Sequence, residues 1–427
     1  MSISIFSILL LYSALYPIIP TYLTIPGIGS VASVLGMLLL VAVFMKKPYI
    51  RRTTNSATER SLLVFSLCTV LISLIHGAVL SAFWFFTSVI IGWAAFILVV
   101  DDECKFERIL DTLIIVAGIL SILAVIEAVS GYNPFLLLNN TGANIIDVQR
   151  TGLSRAKSFT YQAITFGNYL TLTSSLCVYR VVNCRDLHKK RIFKFFYIMM
   201  WLGTFATVSR STILFFIVCQ ILLGLSLGFG KLLAKVFGVI LLLVTGGFIY
   251  FQVLGNDSSV LMNIVYLIMS VFDESYAVGL SGVAVAEGNR LDLYSWVWNA
   301  IQGHVLLGLG PGATFSHDIT YGNIMYSSVV TKTSIEVEYL KCLFHYGFIG
   351  LLSKVAFMIS ILISTLKRGL SDRKVGNLLS FEMTIGCAFL TYFLSFFTVM
   401  QDTESRIFYI MVFLLLAKRR NNIELDS

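Results

Sequence analysis

The sequence predicts an all-α polytopic membrane protein of about twelve transmembrane helices, with one long outer loop between the ninth and tenth. Three observations carry that prediction. Charged residues make up 13% of the 427 residues and hydrophobic ones 57%, with a mean hydropathy of +0.86. A soluble globule carries about 25% charged residues. The deficit recurs along the chain in apolar runs near the roughly 20 residues that cross a bilayer. The cations, finally, gather in short loops that one topology puts on a single side. The net charge of +8 therefore reports topology and gives no reason to expect nucleic acid.

In order, the apolar runs are 3–23, 28–45, 61–80, 82–100, 112–130, 162–182, 195–208, 211–229, 236–252, 338–366, 378–399 and 406–417. The first has neither a basic leader nor a small-residue cleavage site and is expected to be a retained span. Basic loops run from Lys46 to Arg60, Lys105 to Arg108, Arg185 to Lys194, Lys231 to Lys235 and Lys367 to Lys374, followed by the tail Lys418-Arg419-Arg420. They hold 21 of the 31 Lys and Arg residues. Twelve spans with both termini cytoplasmic put every one of them inside, as positive loops require. Run 195–208 has only 14 residues, short for a bilayer core. Ser258 to Phe272 is read as an interfacial helix, because a thirteenth span would send the basic tail outside.

The expected organisation is a single integral membrane domain over 1–427, with outer loops at 131–161 and 252–335. The larger loop contains an amphipathic helix. Leu291, Tyr294, Trp298 and Ile301 step along one face, and Asp292, Ser295, Asn299 and Gln302 along the other. The seven cysteines form no CxxC or Cys/His pattern, so neither a metal nor a cofactor is expected.

The outer side holds few cations: Arg150, Arg155, Lys157, Arg210, Arg290 and Lys332, with Arg406 near the last outer turn. Guanidinium groups match phosphate oxygens bidentately, so an outer arginine set suits an anionic substrate. Each alone also fits a lipid headgroup contact. Arg210 lies between two apolar runs with no real loop, a depth where an arginine usually faces a cavity or a partner. Glu336 and Glu338 begin the tenth run. A partly desolvated carboxylate there can act as a general base, or it can simply complement the helix dipole. His317 is a lone loop histidine. Lys354 lies deep in the tenth span, as a buried packing or pairing residue. Gly308-Leu309-Gly310-Pro311-Gly312 lacks the lysine and strand–helix context of a phosphate loop and reads as a tight return of the chain.

The segment Arg290 to Gly312 resembles the signature of the O-antigen ligase/polymerase superfamily: an arginine, an amphipathic helix and a glycine-rich turn. Ligases carry a His, then Asn, Ser or Gln, nine residues, Gly, two residues and Gly. Here Glu336-Val337, nine residues, Gly347, Phe348-Ile349 and Gly350 reproduce the spacing, with Glu336 in place of the catalytic histidine. Residues 155–170 and 207–212 also resemble the family's outer arginine segment and its Ser-Arg segment. The resemblance implies a GT-C-like bundle in a bacterial inner membrane, working at the periplasmic face. It implies metal-independent glycosyl transfer between undecaprenyl-diphosphate-linked oligosaccharides, with membrane lipids and a chain-length regulator protein as further partners. Arg290 and Arg210 would hold the diphosphate, and Glu336 would take the acceptor proton. Arg155, Arg150, Lys157, Glu338, Tyr339 and His317 would contact substrate. The missing histidine points to a repeat-unit polymerase. A ligase remains an alternative, and a lipid-linked-sugar flippase is one from another class.

Overall fold

In a computed structural model of the protein, the described residues are 4–20, 22–25, 29–45, 56–140, 149–150, 153–160, 162–228, 290–321, 328–374, 379–401 and 404–426. Eleven of the twelve apolar runs coincide with helices there; the ninth, 236–252, and the stretch Ser258 to Phe272 lie outside the described residues. The helices are α1 (Ile5–Leu15), α2 (Val31–Met45), α3 (Ala57–Ile75), α4 (Val79–Phe85), α5 (Gly92–Val99), α6 (Glu103–Ser130), α7 (Ala163–Asn183), α8 (Leu187–Ala206), α9 (Arg210–Ser226), α10 (Arg290–Ala300), α11 (Glu338–Lys374), α12 (Phe381–Ser395) and α13 (Ser405–Asp426). A π-helical turn, Phe86–Ile91, makes α4 and α5 one rod. Short antiparallel pairs join Thr24–Ile25 to Gly29–Ser30, Gln149–Arg150 to Leu153–Ser154, and His317–Tyr321 to Ser328–Lys332. Four rods are long and apolar enough to cross a bilayer: Ala57–Ile75, Val79–Val99, Glu103–Ser130 and Glu338–Asp372.

Several boundaries differ from the predicted ones for local reasons. Helix α1 stops at Leu15, well short of residue 23, because Pro17 and Pro20 cannot donate the backbone bonds that would continue it. Helix α6 begins at Glu103, in what the sequence assigned to a loop, because the Asp102 side chain accepts the Lys105 N–H at 2.6 Å and caps it. Helix α8 lengthens the 14-residue run to 20 residues. Its first turns take in Lys189, Lys190, Arg191 and Lys194, of which Lys189, Arg191 and Lys194 are exposed.

The centre of the bundle is built on α7 and α13. Helix α13 is buried at nearly every residue from Ile407 to Ala417 and packs on α5 and α12. Helix α7 packs on α8, α9 and α12 and is buried on all sides despite many hydroxyl residues. Those hydroxyls donate within their own helices: Thr171 to Gly167 O (2.9 Å), Thr173 to Tyr169 O (2.9 Å) and Ser175 to Leu172 O (2.6 Å). At the periphery, Leu67, Leu71 and Ile75 of α3, and Leu352, Ile359 and Ile363 of α11, stay exposed at helical spacing. Such exposed apolar stripes are what lipid-facing helix surfaces require.

One end of the bundle gathers the ionic residues. Arg419 binds Glu382 through two contacts, 2.6 and 2.7 Å, and donates to Thr58 Oγ1 at 3.3 Å. Lys418 pairs with Glu103 at 3.2 Å over the Phe106 ring. Arg180 pairs with Asp111 at 2.8 Å and Glu107 at 2.5 Å, and Lys189 joins Asp111 at 3.2 Å. These contacts bring together the starts of α3, α6, α8 and α12 and the ends of α7 and α13. They are the helix ends that the basic loops and tail assign to one side.

Helix α11 is interrupted at Gly347, whose φ of 62° and ψ of −166° are non-helical. The break frees backbone groups on both sides, and the segment after α10 takes them up. Leu309 N donates to Phe344 O (2.8 Å) and Gly310 N to His345 O (2.9 Å). In return, Phe348 N donates to Val305 O (2.9 Å) and Ile349 N to Leu306 O (3.2 Å). The approach leaves no space for side chains: a Cβ on Gly347 would lie 2.3 Å from Leu306 O, and one on Gly308 2.6 Å from Gly347 N. Gly347→Ala should therefore destabilise the protein by about 2–4 kcal/mol, combining left-handed strain with a backbone clash. Gly77→Ala, at φ +71° with nothing near its Cβ position, should lose only about 1–2 kcal/mol. Thermal unfolding of the detergent-solubilised variants compares the two; equal losses would show that the close approach is unimportant.

Candidate functional site

The end of the bundle opposite the ionic cluster collects the residues singled out in the sequence. Helix α6 ends there with Glu127, a carboxylate only 4% exposed. It accepts Lys157 N at 3.1 Å and Ser158 N at 2.9 Å, and the Asn133 amide at 2.9 Å. Asn133 also donates to Ser158 O at 2.9 Å, which folds the 153–160 segment over the helix end. Ser158 adopts φ 51° in this turn. Neither Glu127 nor Asn133 stood out in the sequence, although a carboxylate closing a long apolar run is a signal that could have marked it.

The folded segment then docks on the α8–α9 connection. Ala156 N donates to Ala206 O at 3.0 Å, and Arg155 Nε to Thr207 O at 3.4 Å. In that connection Val208 takes φ 47°, rare for a β-branched residue, and Ser209 leads into α9. Arg210 is the first residue of α9. An arginine in a first turn adds positive charge where the helix dipole is already positive, an arrangement suited to an anion and otherwise unfavourable. The structure thus joins the Arg155 and Arg210 segments, which lie 55 positions apart in the chain. Lys157 is buried in the same turn.

Glu336 sits in an extended stretch two residues ahead of α11. It is half-buried between Ile335 and Val337, which insert into the cluster formed by Leu293, Val297, Ile301 and Phe315. Glu338, the first residue of α11, has a different environment and is 6% exposed. One of its oxygens pairs with Lys354 and the other accepts Gln401 N at 2.6 Å. Lys354 also donates to Gln401 Oε1 at 2.8 Å, and Lys341 to Gln401 O at 3.2 Å. The pairing expected for Lys354 is present, and Glu338 is its partner inside the protein. Tyr339 donates to Phe393 O at 3.1 Å and packs on Phe396 and Phe397.

Helix packing places these two groups at the same end. Asn168, early in α7, donates to Ser395 at the end of α12 (3.4 Å), and Glu338 N donates to Phe396 O at 3.1 Å. Thr212 of α9 reaches Ile164 O of α7 at 3.5 Å. Other residues have other surroundings. His317 stacks on Trp296 with centroids 4.0 Å apart, and Arg406 donates to Tyr16 O and Ile19 O at 3.1 and 2.6 Å, fastening the end of α1. Arg290 opens α10, and Arg150 lies in the short strand pair facing Leu153. The face that α10 buries is Leu293, Val297 and Ile301. Tyr294 and Trp298, predicted with the apolar stripe, point outward at 43% and 47% exposure. They were grouped by size and spacing, whereas the smaller aliphatic residues fit the close contact with α11.

A cavity of about 470 Å³ lies between the segment after the glycine turn and the start of α11. It is lined by Thr314, Ser316, Thr333 and Ser334, by Lys341 and His345, and by apolar groups including Met400. Ser334 and Ile335, immediately before Glu336, form part of its wall.

A helical membrane protein with cationic loop segments, a glycine-stitched helix break and a carboxylate beside a cavity agrees with what sequence comparison finds. Residues 195–355 match the family described as O-Antigen ligase. The chain thus resembles the O-antigen ligase/polymerase superfamily in the segment that holds Arg210, Arg290, Glu336 and Gly347. The match fits ligase and polymerase equally. No curated protein matches the chain.

The Glu338–Lys354 pair is buried, so removing one partner strands a charge. Glu338→Ala should destabilise by about 3–5 kcal/mol, while Glu338→Leu combined with Lys354→Met should recover much of the loss. Unfolding of the three solubilised proteins tests this; a double variant no better than the single would refute the pairing energy.

Proposed function

We propose that this protein polymerises lipid-linked oligosaccharide repeat units, moving the growing glycan from undecaprenyl diphosphate to a new lipid-linked unit. The reaction takes place at the outer face of the bacterial inner membrane, with both termini cytoplasmic. The observation that carries this reading is the meeting of the Arg155 and Arg210 segments at the bundle end that also holds Glu336, within a chain matching the O-antigen ligase family.

The chemistry follows from the groups at that end. The acceptor hydroxyl oxygen attacks the anomeric carbon of the donor sugar. The bond from that carbon to the diphosphate oxygen breaks, and its electron pair leaves with undecaprenyl diphosphate. Arg210 and Arg290, with the positive end of α9, neutralise the charge that grows on the leaving group, the main electrostatic demand of the step. Glu336 accepts the proton of the acceptor hydroxyl and later releases it to water. Arg155, Arg150 and Lys157 hold the phosphates of the second substrate, and a chain-length regulator would act on the assembled system. Glu338 supports the site from within the protein through Lys354, and Tyr339 does so through α12.

A ligase reading draws on the description of the matched family. The carboxylate at position 336, where ligases carry histidine, favours the polymerase. The flippase reading is disfavoured by α7. Its interior hydroxyls at Thr171, Thr173 and Ser175 donate to carbonyls of their own helix.

Deleting the gene should leave glycans of a single repeat unit, whereas loss of all attached glycan would indicate a ligase. Glu336→Gln should insert normally yet lower elongation by about 100-fold or more. Arg290→Lys should also impair it, because an ammonium cannot reproduce the guanidinium fork. Gel profiles of the surface glycan read out both; wild-type chain lengths in either variant would remove that residue from the mechanism.

A further inference from the structure

We propose that the cavity beside the helix break is a sugar-binding pocket in which His345 Nε2 accepts a hydrogen bond from a glycan hydroxyl. This inference rests on the proposed glycan chemistry and assigns a role to a residue that lies within the nine-residue spacer between Val337 and Gly347.

His345 lies two residues before the interruption of α11, and its Nδ1 lies 2.9 Å from Gly310 O. A carbonyl only accepts, so Nδ1 must carry the proton. In the neutral ring, Nε2 is then an acceptor with its lone pair exposed. Nε2 has no hydrogen-bond partner among the described residues, and the ring is half-buried on the cavity wall. The same glycine turn that repairs the helix break therefore fixes both the orientation and the tautomer of the imidazole. A histidine serving only as a staple would be satisfied by its Nδ1 contact and would gain nothing from a place on the wall of a polar cavity.

The remaining lining fits a pyranose. The volume of about 470 Å³ falls in the range of roughly 300–1,000 Å³ usual for small-ligand sites. Thr314, Ser316, Thr333 and Ser334 bring hydroxyls that both donate and accept, and Lys341 brings a donor held in place by Gln401 O. Phe315, Ile335 and Met400 supply apolar surface of the kind that the C–H face of a sugar ring covers. A cavity with one tethered ammonium is poorly suited to a diphosphate, which the arginine segments suit better. A sugar next to the diphosphate-linked one is the better occupant, with Glu336 the next residue in the chain after Ile335 of the wall.

Two isosteric replacements separate a staple from a binding role. Asparagine at position 345 can keep the donor to Gly310 O but lacks an acceptor at the Nε2 position. Glutamine places an amide at the Nε2 position. The full-length protein in detergent is titrated with two probes: lipid-linked oligosaccharide extracted from cells lacking this chain, and undecaprenyl diphosphate alone. His345→Asn should bind the oligosaccharide about tenfold more weakly and His345→Gln near the wild-type level, while undecaprenyl diphosphate binds all three alike. Ser316→Trp, at an exposed wall position, should fill the pocket and weaken only the oligosaccharide, and it keeps the test open if substitution at 345 reduces folding. Wild-type binding by His345→Asn or Ser316→Trp would overturn the proposal, as would equal weakening of both probes or no binding by the wild type. If the wild type binds the oligosaccharide with these differences yet does not elongate it, the polymerase reading fails and the pocket stands.

Discussion

A helix broken within an apolar bundle leaves amides and carbonyls that water cannot reach, and each unsatisfied group weakens the fold by several kcal/mol. At Gly347 the segment from Val305 to Gly310 supplies four backbone hydrogen bonds, two in each direction across the gap. Most of the geometry around the break depends on this exchange. It holds the turn against α11, sets the His345 ring against Gly310 O and forms one side of the cavity. His76, at the end of α3, joins the same block: its Nδ1 lies 2.9 Å from Ile72 O and its Nε2 3.1 Å from Gly308 O. The glycines here are therefore positions of contact, where the absence of a side chain lets two backbones meet.

The second organising feature is electrical. Cations at one end of the bundle are consumed by structure: Arg419 in a bidentate pair, Lys418 over aromatic rings, Arg180 between two carboxylates. At the other end, Arg155 and Arg210 each lie within three residues of a strained turn. The φ values of Ser158 and Val208 are sustained by Glu127, by Asn133 and by backbone contacts between the two turns. Strain held in place this way lets a short connection present charge at a defined spot.

Much of this could be read from the amino-acid order. The apolar runs located the helices, and the basic loops correctly grouped helix ends that the ionic contacts bring together. The buried role of Lys354 followed from its depth in a long run. Other features depend on partners far along the chain. The spacing from Glu336 to Gly350 identified a pattern, but nothing in it told that Gly347 breaks the helix or that residues 305–310 repair the break. Nothing in its own neighbourhood marks His345, whose importance comes from Gly310, 35 positions earlier. Glu336 and Glu338 stand on different helix faces by spacing and so are no acid/base pair, but only the structure shows that one residue of chain separates a half-buried carboxylate from one enclosed with Lys354.

Helix α10 has two working faces. Leu293, Val297 and Ile301 press inward on Phe315 and Ile335, both of which line the cavity, while Tyr294 and Trp298 face outward. Aromatic residues of that kind settle at the headgroup layer of a bilayer. The inner face of one short helix thereby shapes the cavity wall through two residues that lie outside the helix itself.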